Sequence, residues 1–327
     1  MPTHVLVTGG FGFIGTHLVE RLLHDGSVRV HVVDNLSSHS IDVKAFVSGL
    51  GEPPSLTWDI ASVEDFCRRK PTGFDEIYHL ASVVGPVGVL PHAGRIAGAV
   101  VGDAYRIIEL GLACGGKVVD VSTSEVYGGG RDGYCSEGDF KVIQPKVTVR
   151  LEYAVGKLAA EIAVINTTKV SPLHAVVIRP FNVAGPRQAV HGGFVLPRFI
   201  GQALRGEPLT VYGDGKMIRA FTHVTDIADG LIAAMARGQA GEAYNLGNPG
   251  NKTCILDLAH RVVRLTRSGS RIDFVDPKQL FGPLFEEAND KFPDADKAIR
   301  ELEWTPKYDL DQVILDTAAY IKAGRLD

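Results

Sequence analysis

The sequence predicts an α/β fold: a Rossmann-like doubly wound parallel sheet with a smaller, interleaved C-terminal lobe that covers a ligand. Three observations predict it. Short apolar strand patterns alternate with amphipathic helical ones over the first half of the 327 residues, as in a parallel sheet covered on both faces. A glycine-rich turn, Gly9-Gly10-Phe11-Gly12-Phe13-Ile14-Gly15, joins the first strand to the first helix. Past residue 180 the alternation loses regularity, which divides the chain into residues 1–180 and a lobe of residues 181–327 interleaved with them.

Composition sets the bounds. A hydrophobic content of 45% fills a sizeable core, and no apolar run approaches the ~20 residues of a membrane helix. The N-terminus enters a strand pattern directly, so a soluble, cytoplasmic protein is expected. Cys67, Cys114, Cys135 and Cys254 are scattered without a C-x-x-C pair, which points to reduced thiols and no metal site. Net charge is −4 and Lys and Arg form no block, which argues against a nucleic-acid surface. An anionic ligand would be met by a few local cations.

Taken in order, residues 4–8 form a strand, the glycine turn follows, and residues 16–24 form a helix. Glycines at 9, 12 and 15 let the backbone approach a pyrophosphate, while the first helical turn, with Phe13 and Ile14, offers free N–H groups and a positive dipole end. The second strand, 28–33, runs into Asp34-Asn35. At this spacing Asp34 accepts hydrogen bonds from an adenosine ribose and repels a 2′-phosphate, which favours NAD over NADP. Strands at 55–58, 77–80 and 118–121 alternate with helices at 62–69 and 95–113. Asp59-Ile60 and Leu80-Ala81-Ser82 fall at strand C-terminal ends, where such sheets bind ligands, and are assigned to the adenine and ribose side. Ordinary loop capping would also explain them. The apolar Gly/Pro-rich stretch 83–94 reads as a mobile loop beside the site.

The strand 117–121 breaks into Ser122-Thr123-Ser124-Glu125 and the turn Val126-Tyr127-Gly128-Gly129-Gly130. A helix to about residue 168 then carries Arg150, Tyr153 and Lys157, and i,i+4 spacing puts Tyr153 and Lys157 on one face. An ammonium beside a phenol of ordinary pKa ~10 favours the ionised form and makes it a usable base. Alone, Tyr-x-x-x-Lys is common by chance. A strand at 175–178 leads into Arg179-Pro-Phe-Asn182 and Gly185-Pro186-Arg187. Helices at 196–205, 225–237, 255–266 and 310–322 and strands at 209–212 and 272–275 complete the lobe. Asn182, at a strand end, is a candidate substrate contact, and Arg187, Arg198 and Lys216 are candidate diphosphate contacts set against ordinary surface charge.

Together these residues resemble the extended short-chain dehydrogenase/reductase family of nucleotide-sugar epimerases, dehydratases and decarboxylases. The resemblance spans nearly the whole chain: Gly9/Gly12/Gly15, Asp34, Asp59-Ile60, His79-Leu80-Ala81, Ser-Thr-Ser-Glu-Val-Tyr-Gly, Tyr153/Lys157, Arg179-Pro-Phe-Asn182 and Arg219-Ala-Phe. It implies that Tyr153 is the base, that Lys157 orients it and the nicotinamide ribose of NAD, and that Thr123 hydrogen-bonds the substrate's 4-hydroxyl. One departure stands at Ala99 and Gly102-Asp103, where the family has Asn followed by Gly-Thr, so altered helix geometry is expected there. Thr123-Ser124-Glu125, Arg150 and Arg219 look like the UDP-glucuronate decarboxylase branch, and Thr-Ser-Glu also occurs in GDP-mannose dehydratases. The resemblance therefore implies decarboxylation of a nucleotide glucuronic acid through a 4-keto intermediate, with Ser124, Glu125 and Arg219 in the site. A 4-epimerase, a 4,6-dehydratase and a non-catalytic sugar-nucleotide sensor are the alternatives. A homodimer through the helices at 95–113 and 151–168 is implied as well.

Overall fold

Runs such as Val5-Leu6-Val7 and Val118-Val119 bury both faces of a strand, and the chain spends them on a central sheet. The computed structural model describes residues 2–24, 26–38, 41–128, 133–190, 193–282, 284–285 and 290–324; Gly129 and Gly130 of the expected turn lie outside them. The first half comprises β1 (Thr3–Thr8), α1 (Phe13–Leu23), β2 (Val28–Asp34), α2 (Val43–Gly49), β3 (Leu56–Ile60), α3 (Val63–Arg68), β4 (Glu76–His79), α4 (Ile96–Cys114), β5 (Lys117–Val121), α5 (Val149–Val170) and β6 (His174–Pro180). There follow β7 (Val183–Ala184), α6 (Val195–Arg205), β8 (Leu209–Tyr212), β9 (Ile218–Ala220), β10 (Thr222–His223), α7 (Val224–Arg237) and β11 (Ala243–Leu246). The chain ends through β12 (Lys252–Cys254), α8 (Ile255–Thr266), β13 (Ile272–Val275), α9 (Pro277–Phe281), α10 (Asp296–Leu302) and α11 (Leu310–Lys322).

Seven strands form the sheet in the order β11-β6-β5-β4-β1-β2-β3, and every pairing is parallel. The order reverses beside β1, which opens a crevice at the carboxyl ends of β1 and β4. On one face Val5, Val7, Val32, Tyr78, Val119 and Ile178 pack against Leu18 of α1 and Leu231 of α7. On the other, Leu6, Ile77, Val118 and Val177 pack against Ile107 of α4 and Val164 of α5.

A second core lies in the lobe, where Leu196 and Phe199 of α6, Val211 of β8, Leu258 and Val262 of α8, and Val313 of α11 meet. The chain beyond residue 181 serves both cores, because Ile227 of α7, Tyr244 and Leu246 of β11, and Leu302 and Trp304 join the first. β11 was not expected from the sequence: four residues, Ala-Tyr-Asn-Leu, carry too little pattern. The short helices α2 and α10 escaped for the same reason.

One expectation is corrected here. α4 runs as a regular helix through Ala99, Gly102 and Asp103, so the departure there leaves its geometry intact. The stretch 83–94 contains a short 3-10 turn at Leu90–His92 and anchors Val89 in a cluster with Ile96, Val100 and Tyr153. All four cysteines are free thiols. Among the described residues, no helix is long and apolar enough to cross a membrane.

Candidate active site

Gly9 takes φ +71°, and a Cβ there would lie 2.8 Å from the Ala81 amide nitrogen, so the segment Leu80-Ala81 packs directly on the turn. A Cβ at Gly15 would come to 2.1 Å from the Gly9 carbonyl oxygen. Gly12 is the N-cap of α1, with no side-chain cap and no acidic residue in the first turn. The leading amides, those of Phe13, Ile14 and Gly15, therefore present the positive end of the helix without an acidic side chain of their own turn against it. Asp34, 8% exposed, accepts from the Phe11 amide at 3.0 Å and the Leu36 amide at 2.8 Å. Asn35 Oδ1 accepts from the Ser37 amide at 3.0 Å. Ile60 stands in register with Asp34, and Asp59 is engaged by His31 at 3.2 Å and Arg69 at 3.3 Å. The turn is thus closed on its own backbone at Gly9 and Gly15, which leaves the uncapped start of α1 to meet a ligand, an arrangement that fits a dinucleotide pyrophosphate.

β5 stops at Val121, and Thr123 becomes the N-cap of a 3-10 turn over Ser124–Tyr127, its hydroxyl accepting from the Glu125 amide at 3.2 Å. Ser124 is buried beside it. Glu125 receives Arg150 in a forked pair, Nε to Oε2 at 2.6 Å and Nη2 to Oε1 at 2.9 Å, and also the ammonium of Lys291. Burial opposes its charge, but the two cations prevail and hold the carboxyl well below the usual carboxylate range. Lys291 is 1% exposed, and burial pushes its ammonium down to about 8 against the pull of Glu125. Its amide donates to the Ile218 carbonyl at 3.2 Å, and its backbone bridges to Arg219. Arg219, itself 6% exposed, donates from Nη1 to the Ile218 carbonyl at 2.9 Å.

α5, capped by Thr148 through the Leu151 amide at 3.2 Å, buries both Tyr153 and Lys157. The phenol of Tyr153 faces the Thr123 and Ser82 side chains, which favour its ionised form. The expected depression of its pKa by Lys157 is corrected: burial, and then the charge of Glu125, push the phenol up. Shared helical face is not end-to-end contact. The Lys157 ammonium turns to the end of β5, donating to the Val121 carbonyl at 2.8 Å, and its charge is met by Asp120, Glu161 and Asp103.

The other candidates are dispersed. Asn182 takes φ +35°, accepts from the Thr222 amide at 3.2 Å and donates to the Ala220 carbonyl at 3.4 Å. Arg187 pairs with Glu20 of α1 at 2.7 Å and lies over the Phe46 ring. Arg198 lies 3.8 Å from the Tyr212 ring centroid and donates to the Thr210 carbonyl at 3.0 Å. Lys216 points to solvent, its side chain 85% exposed and 3.7 Å from Asp214. The structure thus gathers Arg150 and Lys291 around Glu125, sets Arg219 beside Lys291, holds Arg187 against α1 and leaves Lys216 outside. Lys291 was missed: one lysine between Asp290 and Phe292 carries no pattern, and only the fold brings it to Glu125.

Comparison with known proteins sets this arrangement in context. The sequence pattern of the NAD dependent epimerase/dehydratase family matches residues 5–247. A UDP-N-acetyl-alpha-D-glucosaminuronate decarboxylase of Bacillus cytotoxicus is 31% identical over 325 residues, 98% of each chain. UDP-glucuronic acid decarboxylase 4 of Arabidopsis thaliana is 34% identical over 312 residues, which span 94% of this chain and 66% of the plant protein. Among solved structures, a UDP-glucuronic acid 4-epimerase of Bacillus cereus, in complex with UDP-glucuronic acid and NAD, matches at TM-score 0.85 and 25% identity over 98% of this chain and 99% of that one.

Proposed function

The chain belongs to the NAD dependent epimerase/dehydratase family, and on that premise we propose that it decarboxylates a nucleotide-linked glucuronic acid to the nucleotide-linked pentose, with NAD as resident cofactor. The observation that carries this reading is Glu125, an acid set among cations beside the Tyr153 phenol. The two relatives named as uronate decarboxylases, aligned over 94% or more of the chain, support it.

When bound, NAD in its oxidised form supplies a hydride acceptor and a positively charged ring. The turn at Gly9, Gly12 and Gly15, with the Phe13 and Ile14 amides, would hold its pyrophosphate, Asp34 and Asn35 the adenosine ribose, and Asp59, Ile60, Leu80, Ala81 and Ser82 the surrounding groups. Tyr153 takes the sugar's 4-hydroxyl proton as hydride leaves C4, producing a 4-ketone, while Lys157 orients the phenol and the nicotinamide ribose. The ketone lies β to the carboxylate, so the C5–C6 bond breaks with its electrons passing into an enolate and CO2 leaving. Thr123 and Tyr153 hydrogen-bond the enolate oxygen. Ser124 and the ionised Glu125 orient a water molecule that delivers the C5 proton, and Arg219 holds the carboxylate or a phosphate by paired N–H bonds. Proton delivery to C5, hydride return to C4 and proton return from Tyr153 complete a redox-neutral cycle. Asn182 contacts the sugar, Arg198 the diphosphate, and Arg187 joins it by releasing Glu20.

The Bacillus cereus neighbour favours a second reading, 4-epimerisation of a nucleotide uronic acid, which shares the oxidation and omits CO2 loss. Incubation with UDP-glucuronate, its 2-acetamido analogue and UDP-glucose, with products weighed by mass spectrometry, tests both. Loss of CO2 from a uronate is expected; an isomeric product alone would replace the decarboxylase by the epimerase.

The protein is proposed to act in the cytoplasm as a homodimer. Tyr105 and Leu112 on α4, and Val155 and Ile162 on α5, are exposed apolar pairs at i,i+7 spacing on helices that pack together. Sedimentation of the protein as a monomer would overturn the dimer.

A further inference from the structure

β1, β4 and β5 lie side by side, and Thr8, His79 and Asp120 form one row across them in register. Two residues earlier on each strand stand Leu6, Ile77 and Val118, which pack under α4 and α5. Strand periodicity therefore turns the polar row to that same face. All three are buried, Asp120 to 2% exposure. Thr8 Oγ1 and His79 Nδ1 share a hydrogen bond of 2.7 Å. Asp120 Oδ2 is buried with no hydrogen-bond partner, an arrangement that costs stability unless a nearby charge compensates it.

The charged and titratable groups around Asp120 are Lys157, Glu161 and Tyr153 of α5 and, on the neighbouring elements, His79 of β4, Arg179 of β6 and Asp103 of α4; the Tyr153 phenol is neutral there and carries no counter-charge. Glu161 is already answered by Arg179, at 2.6 Å, and by the Ser122 hydroxyl. Asp103 is paired with Arg106 at 3.6 Å. His79 stays neutral, since burial, with Lys157 nearby, lowers it to about 3. That leaves Lys157 and Asp120. Among the described residues, Lys157 has no carboxylate within ion-pair distance, and its ammonium donates to the Val121 carbonyl. The buried cluster is electroneutral only when Asp120 is counted: Lys157 and Arg179 against Asp120 and Glu161. A buried ammonium deprived of counter-charge sheds its proton near neutral pH.

We propose that Asp120 is a positioning residue whose carboxylate keeps Lys157 charged at the end of β5, one helical turn along α5 from Tyr153. Consistent with this, burial pushes the Lys157 ammonium down and Asp120 is foremost among the charges that draw it back. Burial also pushes Asp120 up to about 6, against the pull of Lys157. The proton balance is closed, because Asp120 neither donates to nor accepts from the substrate.

Two measurements test the assignment. In Asp120→Asn the alkaline limb of kcat moves to lower pH by about one unit or more, activity returns on acidification, and Asp120→Glu restores the limb. A uniform loss of kcat with the limb unmoved would make the role structural only and overturn the proposal. The second arm uses the NAD-loaded protein labelled with 13Cε-lysine, with the Lys157 resonance identified by Lys157→Met. In the unsubstituted protein that resonance is expected to show an inflection near 6, where Asp120 takes up its proton; its absence overturns the proposal whether or not the Asp120 variants fold. Only the kinetic arm rests on the proposed role of Lys157 in sugar oxidation. A resonance that follows Asp120 in a protein without that activity would sink the functional reading and leave this one standing.

Discussion

Tyr153 must shed its own proton before it can take one from the sugar, and burial and the Glu125 carboxylate both oppose that ionisation, which the positive ring of bound NAD would favour. Thr123 and Ser82 likewise draw the phenol down. Tyr153→Phe keeps the ring and removes the acid–base group. Transient NADH absorbance on mixing with nucleotide sugar should fall by ~10²–10⁴-fold; absorbance that survives would move the base elsewhere. Glu125→Gln acts in two ways. Steady-state CO2 production should drop by roughly 10²-fold, because a neutral amide cannot orient the water that protonates C5 and the enolate then accumulates without turning over. Removing the negative charge also lowers the Tyr153 pKa, so the limb along which oxidation rises with pH should shift toward acid. An unchanged rate and limb, followed by pH-dependent stopped-flow absorbance, would deny Glu125 both roles. At this scale the sequence was legible wherever a residue belonged to a local motif, as Thr123, Tyr153 and Lys157 do. It was silent on Lys291, whose partner Glu125 is distant in the chain, and it misjudged the Tyr153–Lys157 contact because spacing fixes a shared face and not the direction of two long side chains.

The elements that aim these groups depend on a few tight backbone contacts. Gly15 packs against the Gly9 carbonyl so closely that a methyl group would sit 2.1 Å from it. Gly15→Ala should displace the start of α1, lower stability by about 1–3 kcal/mol and weaken dinucleotide binding strongly. Calorimetric titration with NAD checks it, and affinity equal to the parent protein would show that the turn does not hold the cofactor. Long periodic helices were read correctly to within a residue or so: α8 and α11 match their expected limits. Elements such as β7 and β10, two residues each, exist only because they pair with one another. No local pattern reports such a pairing.

Across the whole molecule, two buried histidines tie stability to pH. His17 and His79 are each held near 3 in the folded chain, His17 by burial and then by Arg187, His79 by burial and then by Lys157. Unfolded, each titrates near 6.5. A depressed folded pKa gives stability that is complete above 6.5 and lost as pH falls toward 3. Each histidine should therefore cost about 1.4 kcal/mol per pH unit over that window. The urea midpoint should fall between pH 7 and pH 5, and His79→Asn should remove part of the slope; a midpoint independent of pH would refute the assignment. The fold class was legible from the alternation of strands and helices, whereas the intermixing of the two cores was not, because it rests on β11 and α7 returning to the first sheet. That return has a consequence during synthesis. β11 is an outer strand of the sheet, yet it ends at Leu246 of 327 residues. While the ribosome makes the intervening sequence, β6 holds an unsatisfied strand edge rich in valine and isoleucine. Nascent chains of this protein should need chaperone cover until that late partner emerges.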